Sequence, residues 1–275
     1  MTRGNANLIQ SSVACIPSFF IPAKPPTPCS ISSAASKESL MPSIKYLLTL
    51  PEFYMILIPF VVYVGLFNSI SSVINQILFP YGFSETEAGI AGALLIVVGL
   101  VASAITSPII DRNKKFLLAV KIFVPITAIC YLVFIWAPPT RSDAAVYIIL
   151  AILGAASFSL VPVVLEYLCE ITHPVSPEVT STICWSGGQL LGGIFIQIAN
   201  ALTDGPNGGG GGDVPYNMQR NLWFQAVFAL IVVPLPLSLG LFGRARQVRL
   251  RRVEADKASS AAGVDNAAND TAVAP

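Results

Sequence analysis

The sequence predicts an all-α, polytopic membrane fold of six transmembrane helices. Three observations carry this. First, 54% of the 275 residues are hydrophobic and only 11% are charged, where a soluble domain carries about 25% charged residues. Second, the apolar residues gather into long runs, each of a length that spans hydrocarbon. Third, the basic residues alternate between the connecting segments, as the positive-inside rule requires of a multi-pass chain.

The same composition argues against other classes. The net charge of +1 gives no bulk attraction to nucleic acid. Five cysteines are scattered without paired spacing, and Cys130, Cys169 and Cys184 fall inside apolar runs, where a thiol packs as a small apolar group. His173 is the one histidine and does not make a metal site alone. The chain shows neither a phosphate-cradling glycine loop nor a nucleophile–base pair, so catalysis, cofactor and metal are not expected.

Residues 1–45 read as a Pro/Ser-rich, largely disordered tail. The run Pro22-Ala23-Lys24-Pro25-Pro26-Thr27-Pro28 suits neither helix nor sheet. Leu8 to Ile21 is apolar but short and broken by Pro17. It is either part of the tail or the remnant of an earlier span.

The membrane bundle is expected over residues 46–243, with spans at about 54–78, 88–110, 116–136, 144–169, 180–202 and 222–242. Lys45 to Pro51 reads as an interfacial approach. The first span turns polar in its second half, where Asn68, Ser72 and Asn75 form one stripe, with Gln76 beside it. Lipid tolerates such a stripe poorly, so it either bonds a neighbouring helix or lines a cavity. The second span is rich in Gly, Ala and Ser, which favour close helix contact. It ends in Asp111-Arg112-Asn113-Lys114-Lys115, and the third span follows at once with Lys121 placed to snorkel.

The fourth span closes with Pro162, Glu166 and Glu170 before Pro174. The two carboxylates lie four residues apart and share a helix face. Acids inside a span are costly and face protein or water, so Glu166 and Glu170 are expected at a boundary, near Asp111, Arg112 and Lys115. A gate or structural pair with Arg112, a solvated helix end and a proton site all remain open. On the fifth span Ser186, Gln189, Gly193, Gln197 and Asn200 fall on one face, and Gly188 and Gly192 make a tight-packing pair on another. A loop with five consecutive glycines, Gly208 to Gly212, leads to a sixth span kinked by Pro234 and Pro236. Residues 244–275 open with arginines and continue as a disordered tail. The Lys/Arg bias places both termini and the Arg112 loop in the cytoplasm, without resolving plasma from vacuolar or lysosomal membrane.

The Asp111-Arg112 turn with Lys114-Lys115 resembles the G-x-x-x-D-R-x-G-R/K-R/K loop of the major facilitator superfamily, with Ser107 and Lys114 standing at the glycine positions. Gly65 to Gln76 resembles the seventh span of the feline leukaemia virus subgroup C receptor-related transporters, Leu160 to Pro174 their tenth, and Ser186 to Gln189 the polar centre of their eleventh. The likeness covers roughly residues 46–202. It implies one half-bundle of a major facilitator fold, the carboxyl half, with residues 1–45 as the central cytoplasmic linker. Either a partial chain of a twelve-span protein or a six-span protein that pairs with another half-bundle would look like this.

The resemblance implies alternating-access transport of a small organic solute such as choline, ethanolamine or haem. The stripe residues Asn68, Ser72, Asn75, Gln76, Gln189 and Gln197 are the candidates for its path, and the resemblance implies Gln189 as a polar substrate contact. Asn68 stands where choline-transporting relatives carry a tyrosine, and an amide does not cage a quaternary ammonium as an aromatic face does. The alternative is a non-transporting membrane interaction protein built on an orphan half-bundle. Expected partners are the lipid bilayer, the solute and a missing amino-terminal half, with no nucleic acid.

Overall fold

The first element among the described residues is a short helix inside the stretch expected as tail. α1 spans Leu40–Leu47, and Ser43 and Leu47 on it are buried. Pro42 sits in its first turn, where a missing N–H costs no helix bond. Residues 40–45 therefore belong to the helical bundle rather than to a disordered tail. The structure, a computed structural model, describes residues 40–172, 174–205 and 215–239, all within one compact unit, Lys37–Glu254. The expected 1–39 tail, Leu8 to Ile21, His173, the Gly208–Gly212 run and the arginine-rich terminus lie outside the described residues.

Six helices long and apolar enough to cross a membrane follow among the described residues. α2 runs Pro51–Leu78 with proline at its first position, where φ is already helical. A single 3-10 turn, Phe79–Tyr81, ends at Gly82 with φ 93°, a left-handed conformation that suits glycine. α3, Glu85–Asn113, starts with a capping box: the Glu87 N–H donates to Ser84 Oγ and the Ser84 N–H to Glu87 Oε2. Lys114 then takes φ 50° and stops the helix. α4 covers Phe116–Phe134, α5 Asp143–Thr172 and α6 Pro177–Ala201. The sixth crossing is broken rather than merely kinked: α7, Gln219–Ile231, and α8, Pro234–Ser238, flank a turn at Val232 and Val233.

Proline causes that break and a tyrosine repairs it. Pro234 has no N–H to offer the Leu230 carbonyl. The Val233 N–H bonds Leu230 instead of Ala229, at 3.2 Å. The released Ala229 carbonyl accepts from the Tyr63 hydroxyl of α2 at 2.8 Å, in a buried site. A broken helix at membrane depth is stable only where the orphaned groups are satisfied in this way.

Two parallel pairs organise the packing, α3 with α5 and α2 with α6, while α4 packs antiparallel on both α5 and α7. Exchanging α2–α4 for α5–α7 maps one parallel pair onto the other. Small residues set both close approaches. A Cβ on Gly154 of α5 would fall on the Leu95 carbonyl of α3, and one on Gly188 of α6 would come within 2.6 Å of Val64. Thr106 of α3 donates to Ser159 of α5 at 2.9 Å along the same seam. α3 itself is only 22% buried over its most apolar window, and Ile96, Val97, Leu100, Val101, Ile105 and Ile109 lie exposed on it. Such a surface is costly in water and at ease against hydrocarbon or another apolar bundle.

Candidate functional site

Asn68 and Gln189 meet because α2 and α6 come close. Gly192 of α6 sits against the Asn68 side chain, with room for no more than a 3.0 Å approach if it carried a Cβ, and Gly65 of α2 sits against the Leu191–Gly192 backbone. The Asn68 Nδ2 donates to Gln189 Oε1 at 3.2 Å. One amide group of each residue is thereby satisfied across the helix pair, and the Gln189 side chain remains exposed on the open face. The Asn68 backbone carbonyl accepts from both Ser72, at 2.7 Å, and Ser71, at 3.1 Å. Ser72 thus bonds back within its own helix, a common fate of a hydroxyl in a span.

The remaining stripe residues separate. Asn75 and Gln76, two turns beyond Asn68, line a cavity of about 320 Å³ together with Phe79, Pro80, Thr203, Tyr216 and Met218. Gln197 is exposed on α6, two turns past Gln189, on the same open face as Gly193 and Asn200. The structure therefore joins Asn68 with Gln189 and leaves the other four on the flanks.

The charged residues differ in exposure. The Asp111 carboxylate pairs with Lys114, three residues on, and both are well exposed. Arg112, Lys115 and Glu166 are exposed, whereas Glu170 is only 4% exposed. Glu170 is thus buried where Arg112 is exposed.

Three features escape a reading of the sequence. A second cavity, about 140 Å³, lies between α2, α5 and α6 beside Asn68, with Phe60, Tyr63, Phe67, Phe158 and Trp185 among its walls. Between α2 and α7, Ser69, Asn221 and Gln225 are buried, and Gln225 Nε2 reaches both Ser69 Oγ and Asn221 Oδ1 at 3.4 Å. At the far end of α2, the Tyr81 hydroxyl donates to Asn217 Oδ1 at 2.9 Å, and buried Asp204 lies 3.6 Å from the Arg220 guanidinium. Asn221 and Gln225 share a helix face at the head of the sixth apolar run, a signal the expected start at Leu222 cuts in two.

Comparison with known proteins fits this geometry. A family model described as the Major Facilitator Superfamily matches residues 8–203. Solute carrier family 49 member A3 of Danio rerio is 29% identical over 199 residues, which are 71% of this chain and 42% of that protein. Its Xenopus tropicalis namesake is 32% identical over 181 residues, 65% of this chain and 38% of the relative. The choline/ethanolamine transporter FLVCR1 of Mus musculus is 27% identical over 198 residues, 70% of this chain and 35% of the relative. The chain spans well under half the length of these curated relatives.

Proposed function

The chain belongs to the major facilitator superfamily and is an integral, multi-pass membrane protein; from that premise we propose that it supplies one half of a transporter for a small organic solute. The Asn68–Gln189 pair carries the reading. Two neutral amides meeting across parallel helices, one still exposed, form a hydrogen-bonding station on the face the bundle leaves open. Alternating access would place that face against an amino-terminal half-bundle, with the solute between them. Relatives named as choline/ethanolamine transporters support a small solute. An amide at position 68 favours a polar, hydrogen-bonding solute over a bare quaternary ammonium. The orphan interaction-protein alternative is less favoured, because the relatives that the chain matches include named choline/ethanolamine transporters.

The basic residues of the Arg112 loop and of the terminal segments support an orientation with both termini in the cytoplasm. The test of function is uptake by the full-length protein, screened with choline, ethanolamine and uncharged polar solutes. Gln189→Ala should lower uptake of the accepted solute at matched expression. Unchanged uptake would remove the amide pair from the path.

A further inference from the structure

We propose that the cavity beside Asn68 is a specificity pocket for an uncharged, ring-sized apolar group of the solute, whose polar end meets the Asn68–Gln189 amides. The inference rests on the reading of those amides as the solute station and names what else the solute carries. The pocket is walled on three sides by elements that fix its shape. Phe60 of α2 stands edge-on to Trp185 of α6 at 6.0 Å between ring centroids, and Phe67 of α2 stands edge-on to Phe158 of α5 at 5.2 Å. Such edge-to-face pairs hold rings in place. Tyr63 is anchored by its bond to the Ala229 carbonyl, which leaves its ring, not its hydroxyl, for the wall. Gly187 and Gly188 bring the Trp185 turn of α6 against Val61 and Val64 of α2.

Volume and polarity choose the occupant. The cavity measures about 140 Å³ and Asn68 is at its edge. An apolar protein cavity of about 150 Å³ stays dry and takes benzene. None of the residues lining the pocket is charged, so no side chain there neutralises a buried ion, and a cation would have only ring faces to rest on. A flat or branched hydrocarbon group of benzene size fills the space and leaves its polar substituent one helical turn away, at the amides. Val64 and Asn68 are one turn apart on α2, and Trp185 and Gln189 one turn apart on α6, so pocket and amides share one vertical edge.

The test uses the full-length protein in lipid nanodiscs and ligand-observed NMR, with phenylacetamide, acetamide and tetramethylammonium as probes. Phenylacetamide should bind at least tenfold more tightly than acetamide. Filling the pocket by Val161→Phe, or independently by Ser157→Phe, should cut phenylacetamide binding to the acetamide level and leave acetamide unchanged. Asn68→Ala should weaken both amides alike. Equal affinity for the two amides, or ring binding that survives both filling variants, overturns the pocket while leaving the amide station standing. Acetamide binding that is indifferent to Asn68→Ala and Gln189→Ala overturns the station itself. Stronger binding of tetramethylammonium than of phenylacetamide makes the site a cation cage and overturns the proposal. Thermal unfolding of each variant shows whether it is folded.

Discussion

The Tyr63 hydroxyl donates to the Ala229 carbonyl at 2.8 Å, across 166 residues of sequence. The turn before Pro234 moves the Val233 N–H to Leu230 and frees that carbonyl, and Tyr63 of the neighbouring α2 answers it. Tyr63→Phe would leave a buried acceptor unpaired at membrane depth, which should cost about 1–3 kcal/mol. Tyr131→Phe is the matched control. Its hydroxyl is buried with no hydrogen-bond partner among the described residues, so losing it should be neutral or stabilising. Equilibrium unfolding in mixed micelles separates the two; equal losses would place the Tyr63 effect in ring packing instead.

Most of the architecture is legible in the apolar runs, because a span must satisfy its backbone internally and so must be a long continuous helix. What pairs with what is less legible. Asn68 and Gln189 read as stripes on two spans, yet their meeting depends on Gly192 and Gly65 letting the backbones approach. The aromatic pocket is invisible for a different reason. Phe60, Phe158 and Trp185 sit in apolar sequence, where a ring facing lipid and a ring facing a cavity obey the same hydropathy. α1 is hidden because Pro42 looks like a continuation of the proline-rich tail. Charge and boundary depth are legible for Arg112, Glu166 and Glu170, but the rotation of each helix about its axis, which buries Glu170 and exposes Glu166, is not.

Gly154 and Gly89 should respond in opposite ways to the same added methyl. A Cβ on Gly154 overlaps the Leu95 carbonyl, and backbone in a tight parallel pair has nowhere to move. Gly154→Ala should cost about 3 kcal/mol, at the upper end of overpacking effects. Among the described residues nothing lies within 4 Å of a Cβ on Gly89, and alanine is the better helix former by about 1 kcal/mol. Gly89→Ala should therefore raise stability or leave it unchanged, and the same unfolding assay reads both.

The Asn68–Gln189 bond should register as coupling. A hydrogen bond of this kind contributes about 0.5–1.5 kcal/mol, and residues in direct contact are non-additive. Asn68→Ala and Gln189→Ala together should cost less than the sum of the singles by about that amount. Strict additivity in unfolding would mean that the two amides are each satisfied elsewhere, by water or by the neighbouring half.

The Asp111–Lys114 pair should matter little to stability. Both side chains are about half exposed and three residues apart on a helix end, and such surface pairs contribute at most about 0.5 kcal/mol. Asp111→Asn should leave the unfolding midpoint nearly unchanged. A large loss would show instead that Asp111 serves a buried partner outside the described residues.

The two feet of the glycine-rich loop are tied together, and that makes the loop a usable reporter of orientation. The Asp204 N–H donates to the Asn217 carbonyl at 3.0 Å, and the Tyr216 N–H to the Gly205 carbonyl at 3.4 Å. The Asn217 side-chain oxygen accepts from Tyr81 and from the Gln219 N–H, both at 2.9 Å, so α7 is capped and fastened to the end of α2. With the ends fixed by these bonds, the cost of a longer insertion is only loop-closure entropy, about 0.6 kcal/mol for each doubling of length. A glycosylation acceptor with flexible spacers placed among Gly208–Gly212 should leave the fold intact. In the proposed orientation, with the Arg112 loop and both termini in the cytoplasm, this loop is expected on the opposite side, and the acceptor should be modified as the chain passes through the secretory pathway. Asn217→Ala removes the cap and the tie to Tyr81, so the same insertion should then lower stability further. Modification of an acceptor in the terminal tail, with none in the loop, would reverse the orientation.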